Sequence, residues 1–231
     1  MLTDSQIERY SRQIILAEIG GRGQETLLHS AVLVVGDGGL AEVATTYLAA
    51  AGVGRLTAAS HCVTALAHLN SDCRTAVHQW WSATAVERET MVRSHDVVID
   101  AGGPSESSDA LNVACIQSQR PLLWGRASDA VATVTMFAGH LAGQPCYSCM
   151  PVPDATVGAN AVGFADLSAR FLGGLVAIEA VKAILSIGTL LSARMLVYSP
   201  LRSTVSEAPV VKNPECVTCG RGARVANGRT E

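Results

Sequence analysis

The segment that most constrains the fold is Ala31 to Ser60, AVLVVGDGGLAEVATTYLAAAGVGRLTAAS. Its pattern predicts a buried strand over Val32 to Val35, a glycine turn at Gly36, Gly38 and Gly39, a helix over Leu40 to Ala51 and a second strand over Arg55 to Ala58. An apolar run, a Gly-x-Gly turn and a helix, in that order, open a βαβ unit of the kind that cradles phosphates. The glycines let the backbone turn sharply and approach a ligand, and the helix N-terminus offers free N–H groups and partial positive charge. Two residues work against a bound phosphate. Asp37 places a carboxylate in the turn, and Ala41 stands at the third glycine position.

The flanking chain continues the alternation. Thr3 or Asp4 is placed to cap a helix through IERYSRQIILAEI, with Ile7, Tyr10, Ile14 and Ile15 at helical spacing and Gly20-Gly21 as its stop. GQETLLHS is a short second helix. VTALAHLN is a helix stopped near Asn70, Arg74 to Trp80 alternates like a strand, and Val86 to Arg93 forms a surface helix. DVVID (96–100) is a buried strand, SSDALNVACIQSQ a helix, and PLLWGRA and AVATVTMFA two more strands. A long helix runs from about Phe164 to Ile187, followed by strand ARMLVYS and a polar tail. This order predicts an α/β fold with a doubly wound, mostly parallel, Rossmann-like sheet behind an N-terminal helical segment. With no internal repeat and no long linker, residues 1–231 form a single domain. Within it, helices occupy 1–30, the nucleotide-binding-type half 31–140, a C-terminal half 141–220 and a flexible tail 221–231.

Composition narrows the function classes. The chain is 48% hydrophobic and 16% charged, which suits a well-buried core. A net charge of −3 gives no reason to expect nucleic acid or an anionic membrane as a partner. The start MLTDSQIERYSRQ has neither the basic nor the apolar region of a signal peptide, and Glu179 and Lys182 break the most apolar later stretch. Seven cysteines without a secretion signal point to the reducing cytoplasm.

Cysteine spacing is the strongest chemical signal. Cys146-Tyr-Ser-Cys149 and Cys216-Val-Thr-Cys219 are two C-x-x-C pairs that together offer four thiolates, the closed tetrahedral set of structural zinc. Buried free thiols and a redox pair are the alternatives, although neither pair opens a helix as redox cysteines do. Cys62, Cys73 and Cys115 sit singly in core-like patterns. Other candidates carry less. The six histidines show no metal-ligand spacing, Ser105, Ser107 and Ser108 suit a helix cap, and Glu179 with Lys182 suits an ion pair or a solvated face. Trp80, Trp81 and Trp124 are core residues or the lining of a crevice.

Together, ERYSRQIIL, the glycine turn followed by LAAAGVG, DVVID, the CYSC knuckle, GGLVAIEAVKAIL and the closing CVTCG resemble the MoeB/ThiF/HesA family, in the family's order and over nearly the whole chain. The resemblance implies an adenylyltransferase fold that charges the C-terminus of a sulfur-carrier or ubiquitin-like protein. It implies ATP and magnesium as cofactors, zinc on Cys146, Cys149, Cys216 and Cys219, and a homodimer or heterodimer with a MoeB/ThiF-like protein. In such dimers the arginine matching Arg12 reaches into the partner's ATP site.

The departures from that family are specific. Its adenylating members end the second strand with an acidic residue that holds the ribose, then carry a Ser-Asn-Leu-x-Arg-Gln segment and a lysine that grip the phosphates. Here Ala58-Ala59-Ser60 runs through His61-Cys62 straight into VTALAHLN, so a block of about one βα unit is missing. The family's magnesium-binding Asp corresponds to Gly103, and the crossover loop, Ala155 to Ala165, holds no cysteine. Adenylation sets a carboxylate against a phosphate and needs cations to offset the developing charge. Arg126 or His61 could supply a cation, although neither stands at a family position. The sequence therefore predicts a zinc-stabilised subunit that has lost ATP-dependent adenylation and supports an active partner, with Arg12 reaching in trans and Gly36, Gly38 and Gly39 as a vestigial nucleotide turn. Two other readings stay open: a divergent adenylyltransferase or sulfur-transfer enzyme with a rearranged ATP site, and a small-molecule or peptide binding protein that uses the sheet crevice.

Overall fold

The apolar runs that alternate with helical patterns do assemble into one sheet. The computed structural model describes residues 1–220 except 67, 104 and 151–162. The strands are β1 (Ala31–Val35), β2 (Arg55–Ala58), β3 (Arg74–Val77), β4 (Val97–Asp100), β5 (Leu122–Ala127), β6 (Ala132–Phe137), β7 (Arg194–Ser199) and β8 (Thr204–Pro209). They lie in the order β3-β2-β1-β4-β5-β6-β7-β8. The first five in that order run parallel, and β6, β7 and β8 follow as antiparallel neighbours. β1 is buried at every position because helices cover both faces, which is why AVLVV is continuously apolar rather than alternating. Sequence order reverses on the two sides of β1, so a crevice is expected at the carboxyl ends of β1 and β4.

The main helices are α4 (Gly39–Ala51) and α8 (Phe164–Leu185), which pack together on one face with Leu40, Ala44, Leu48, Leu172 and Val176 in the core. On the other face lie α6 (Ala85–Arg93) and α7 (Ser105–Ser118), whose core contains Trp80, Leu111, Trp124, Phe137 and Tyr147. A short α5 (Ser60–Leu66) follows β2 after one intervening residue. Among the described residues, no helix is long and apolar enough to cross a membrane.

Several expectations need correction. The N-terminal helix is three pieces, α1 (Asp4–Arg9), α2 (Ser11–Ile14) and α3 (Gly20–His29), so Gly20 opens a helix rather than ending one. Thr3 caps α1 as expected, through a capping box with Gln6. The chain breaks at Tyr10 because that side chain is anchored in the body, donating to Asp72 and accepting from the Asn70 amide. Of the four apolar positions at helical spacing, only Tyr10 is buried, while Ile7 and Ile15 face solvent. β3 stops at Val77 because the chain then turns inward, burying Trp80 with its indole N–H on Ser107. The polar tail contains β8, which pairs along the whole of β7 and was hidden because a solvated edge strand carries no apolar run. The long helix ends at Leu185, two residues early, with Ser186 in the left-handed conformation. Tail residues 221–231 and crossover residues 155–162 lie outside the described residues.

Candidate functional site: an internally filled crevice and a four-cysteine knuckle

At the carboxyl end of β1 the backbone turns through Gly36 (φ 124°) and Gly38 (φ 90°) into α4. Gly36 is required by crowding as well as by φ, since a Cβ there would lie 2.4 Å from the Gly102 carbonyl oxygen of the loop after β4. The two loops that flank the crevice thus touch, backbone to backbone. Over the first residue of α4, a Cβ at Gly39 would meet Arg170 Cγ at 2.6 Å and Asp166 Oδ1 at 2.7 Å. Arg170 links Asp166 (2.9 Å) to Glu42 (2.8 Å), so an internal carboxylate lies where the helix N-terminus would otherwise attract a phosphate. Asp37 is exposed in the same turn.

The floor of the crevice is a buried charge network. Asp100, 1% exposed at the end of β4, takes two hydrogen bonds from the Arg126 guanidinium at 2.9 and 3.2 Å, one from Ser108 Oγ at 2.6 Å and one from the Gly102 N–H at 3.2 Å. Arg126 also reaches Ser108 Oγ (2.7 Å) and stacks on Trp124, 5.2 Å from the ring centroid. The cation that the sequence left available is therefore committed to Asp100. Ser108 serves this network inside the first turn of α7 instead of capping it. Trp80 and Trp124 are core residues, whereas Trp81 is half exposed and lies against Gly103, where a Cβ would come within 2.8 Å of its ring. The other candidate, His61, is exposed, 4.0 Å from Glu42 and 3.3 Å from Cys62 Sγ. Burial pushes the Cys62 and Cys73 thiols up to about 11 and raises Cys115 further, so none of the three is a ready nucleophile. Glu179 and Lys182 form an ion pair, and the buried Glu179 carboxylate also accepts from the Leu191 N–H at 2.9 Å. That pair is structural rather than a solvated face.

Arg12 is exposed on α2 and has no ion-pair or hydrogen-bond partner among the described residues. Exposed Ile15 and Leu16 follow it, and Tyr47 on α4 with Leu167, Phe171 and Ile178 on α8 adds further exposed apolar surface. A groove of about 1250 Å³ runs between α4 and α8, with Glu42, His61 and Arg170 at one end and Lys182 at the other. Sequence periodicity missed this face because α8 is apolar nearly all round.

One turn further along α7, Asn112 meets the four-cysteine knuckle. Cys146, Cys149, Cys216 and Cys219 bring their sulfurs within 4.8 Å of one another, across the loop after β6 and the segment after β8. The S···S distances include 3.9 Å (146–149), 3.7 Å (146–216) and 3.4 Å (149–219). Zn–S bonds of about 2.3 Å in a tetrahedron set S···S near ~3.8 Å, so the donor set fits zinc. Cys146 opens a 3-10 turn (Tyr147–Cys149), and Thr218 Oγ1 meets Ser148 Oγ at 3.0 Å to tie the two arms.

A mixed, half-parallel sheet with a glycine turn at its switch point defines a Rossmann-like α/β fold. More narrowly, the sequence model of the ThiF family matches residues 10–59 and 58–218, and the chain belongs to that family. The two matched segments meet at Ala58 and Ala59, at the end of β2. The chain is 30% identical over 250 residues to the molybdopterin-synthase adenylyltransferase of Escherichia coli, with 95% of this chain and 99% of that protein covered. It is 31% identical over 249 residues to the adenylyltransferase and sulfurtransferase MOCS3 of Aedes aegypti, covering 94% of this chain. It spans 56% of that relative's length. Among solved structures, PaaA (TM-score 0.74, 16% identity, 92% of this chain and 76% of that one) and E. coli MccB with ATP (0.72, 15%, 91% and 74%) share the fold.

Proposed function

We propose that this chain is a non-adenylating ThiF-family subunit. It holds structural zinc on Cys146, Cys149, Cys216 and Cys219 and supports a catalytically active MoeB/ThiF-like partner that activates a sulfur-carrier or ubiquitin-like protein. The observation that carries this reading is the filling of the crevice by the chain's own groups. Asp166 and Arg170 lie over Gly39, Trp81 lies against Gly103, and Asp100 neutralises Arg126. A triphosphate brings several negative charges, and here it would meet the Asp37, Glu42 and Asp166 carboxylates with only the already paired Arg170 as a permanent cation beside them. Like charges at contact distance in a partly desolvated site oppose binding by several kcal/mol at an effective dielectric of about 20.

The partner half of the proposal rests on Arg12. An arginine left without an internal counter-ion, beside exposed Ile15 and Leu16, suits a contact made across an interface. The competing reading, an adenylyltransferase with a rearranged site, draws on the identity to an adenylyltransferase over 99% of its length. Zinc, when bound, supplies a structural cross-link between the two arms of the knuckle.

Titration calorimetry with ATP and magnesium decides between the two readings. The expected result is no binding up to about 1 mM, and a micromolar dissociation constant sinks the non-adenylating reading in favour of its rival. Mixing the chain with a MoeB-like enzyme encoded in the same genome should raise ATP–pyrophosphate exchange, and Arg12→Ala should abolish at least 90% of that rise. An unchanged stimulated rate would remove Arg12 from the partner's site.

A further inference from the structure

Lys212 follows β8 and precedes the second cysteine pair. It is half-buried, and its ammonium group has no carboxylate within ion-pair distance among the described residues. Its partners there are Cys219 Sγ at 3.0 Å and the Cys219 carbonyl oxygen at 3.1 Å. Across the knuckle, Asn112 of α7 is 1% exposed and directs its amide Nδ2 at Cys146 Sγ (3.6 Å) and Ser148 Oγ (2.9 Å). Its Oδ1 accepts from the Tyr147 N–H at 3.1 Å.

A partly desolvated ammonium needs an anionic partner, and here the available anion is a sulfur. Four thiolates around a divalent cation carry an excess negative charge that is costly to hold in a site where three of the four cysteines are buried. We infer that Lys212 is the charge-compensating, metal-retaining residue of the four-cysteine centre, with Asn112 as a second donor to its sulfurs. The inference rests on the reading of the knuckle as a zinc site. Lys212 does two things there. Its charge offsets part of the excess on the thiolates, and its N–H group occupies a lone pair of Cys219, the ligand nearest the end of the clip. Without it, the Cys219 arm opens first and the metal leaves through that side. Asn112 belongs to α7, a separate element from both ligand arms, so it fixes Cys146 against the body rather than against the other arm.

The test uses the full chain loaded with zinc, and measures transfer of the metal to an excess of chromophoric chelator. Lys212→Met is expected to release zinc 10- to 100-fold faster than the wild type, the usual effect of removing an outer-shell partner. Lys212→Arg keeps charge and donor and should stay within about threefold of the wild type, and Lys212→Gln, which keeps a donor without the charge, should fall between. Should Lys212→Met not fold, the Gln variant decides. Cadmium-113 NMR of the substituted protein gives a second readout, with a shifted resonance expected when the N–H···S bond is lost. Wild-type release kinetics in Lys212→Met, or in Lys212→Gln if only that folds, would overturn the role of Lys212 alone. A wild-type chain that neither carries nor takes up one equivalent of zinc would overturn the metal reading, and the role of Lys212 with it.

Discussion

Two successive turns of α7 make a direct comparison. At its N-terminal end, Ser108 completes the Asp100–Arg126 network beneath the crevice, and at its middle, Asn112 reaches the four-cysteine knuckle. Both places hold close-set ionisable groups, yet they differ in what balances the charge. In the crevice the cations are already held by side chains of the same molecule: Arg126 by Asp100, and Arg170 by both Asp166 and Glu42, while Asp37 adds a further exposed carboxylate. In the knuckle four sulfurs face one another within 4.8 Å with a single ammonium beside them, an arrangement that a divalent cation would complete. A site whose cations are already taken has little left to offer an anionic ligand, whereas a cluster of uncompensated sulfurs still has a binding free energy to release to a cation. This difference underlies the proposal of a metal at the knuckle and of no nucleotide in the crevice.

The comparison can be broken most forcefully at the knuckle. Cys216→Ser, or chelation of the wild type, should lower the zinc content measured by mass spectrometry from about one per chain to near zero. The accompanying loss of about 5 kcal/mol would lower the melting temperature by about 10–20 °C in a chain of this size. An unchanged melting curve would show that the clip contributes nothing to stability.

The crevice should yield less. Removing one partner of a buried ion pair strands the other, so Arg126→Met is expected to cost about 3–5 kcal/mol in urea denaturation. The double variant Arg126→Met with Asp100→Asn should recover part of that loss, because no buried charge is then left alone. If the double variant is as unstable as the sum of the singles, the two residues do not form one network.

The smallest effect is an acid sensitivity that belongs to neither region. Burial holds His78, His95 and His140 below the ordinary imidazole range. His95 is fixed between the Met91 carbonyl at 2.7 Å and the Thr57 hydroxyl at 2.8 Å. A lowered folded-state pKa means that the unfolded chain takes up the proton first, so stability is full above the unfolded value of about 6.5 and falls as the pH drops below it. Between pH 7.5 and 5.5 the wild type should lose about 1 kcal/mol more than His95→Gln, read as the difference of two urea midpoints. Thiolate protonation affects both proteins equally and cancels in that difference.

Much of this molecule was legible in one dimension. Strand Arg55–Ala58, the helix after the glycine turn and the cysteine spacing are local signals: hydrophobic period, φ-permissive residues and fixed ligand separations are written in neighbouring positions. Edge strand β8 was not legible, because a strand exposed on both faces carries no apolar alternation. Nor was the break at Tyr10, which depends on Asn70 and Asp72, 60 and 62 positions away.

The sequence by itself determined the family, the parallel core around β1 and the four candidate metal ligands, since each depends on short-range pattern or on residue identity alone. Only the tertiary structure decided the fate of the cations. Arg126 looked available until Asp100 was placed beside it, and Arg170 and Lys212 carried no local signal at all. Charge balance depends on distances between residues far apart in the chain, and those distances exist only once the sheet has formed.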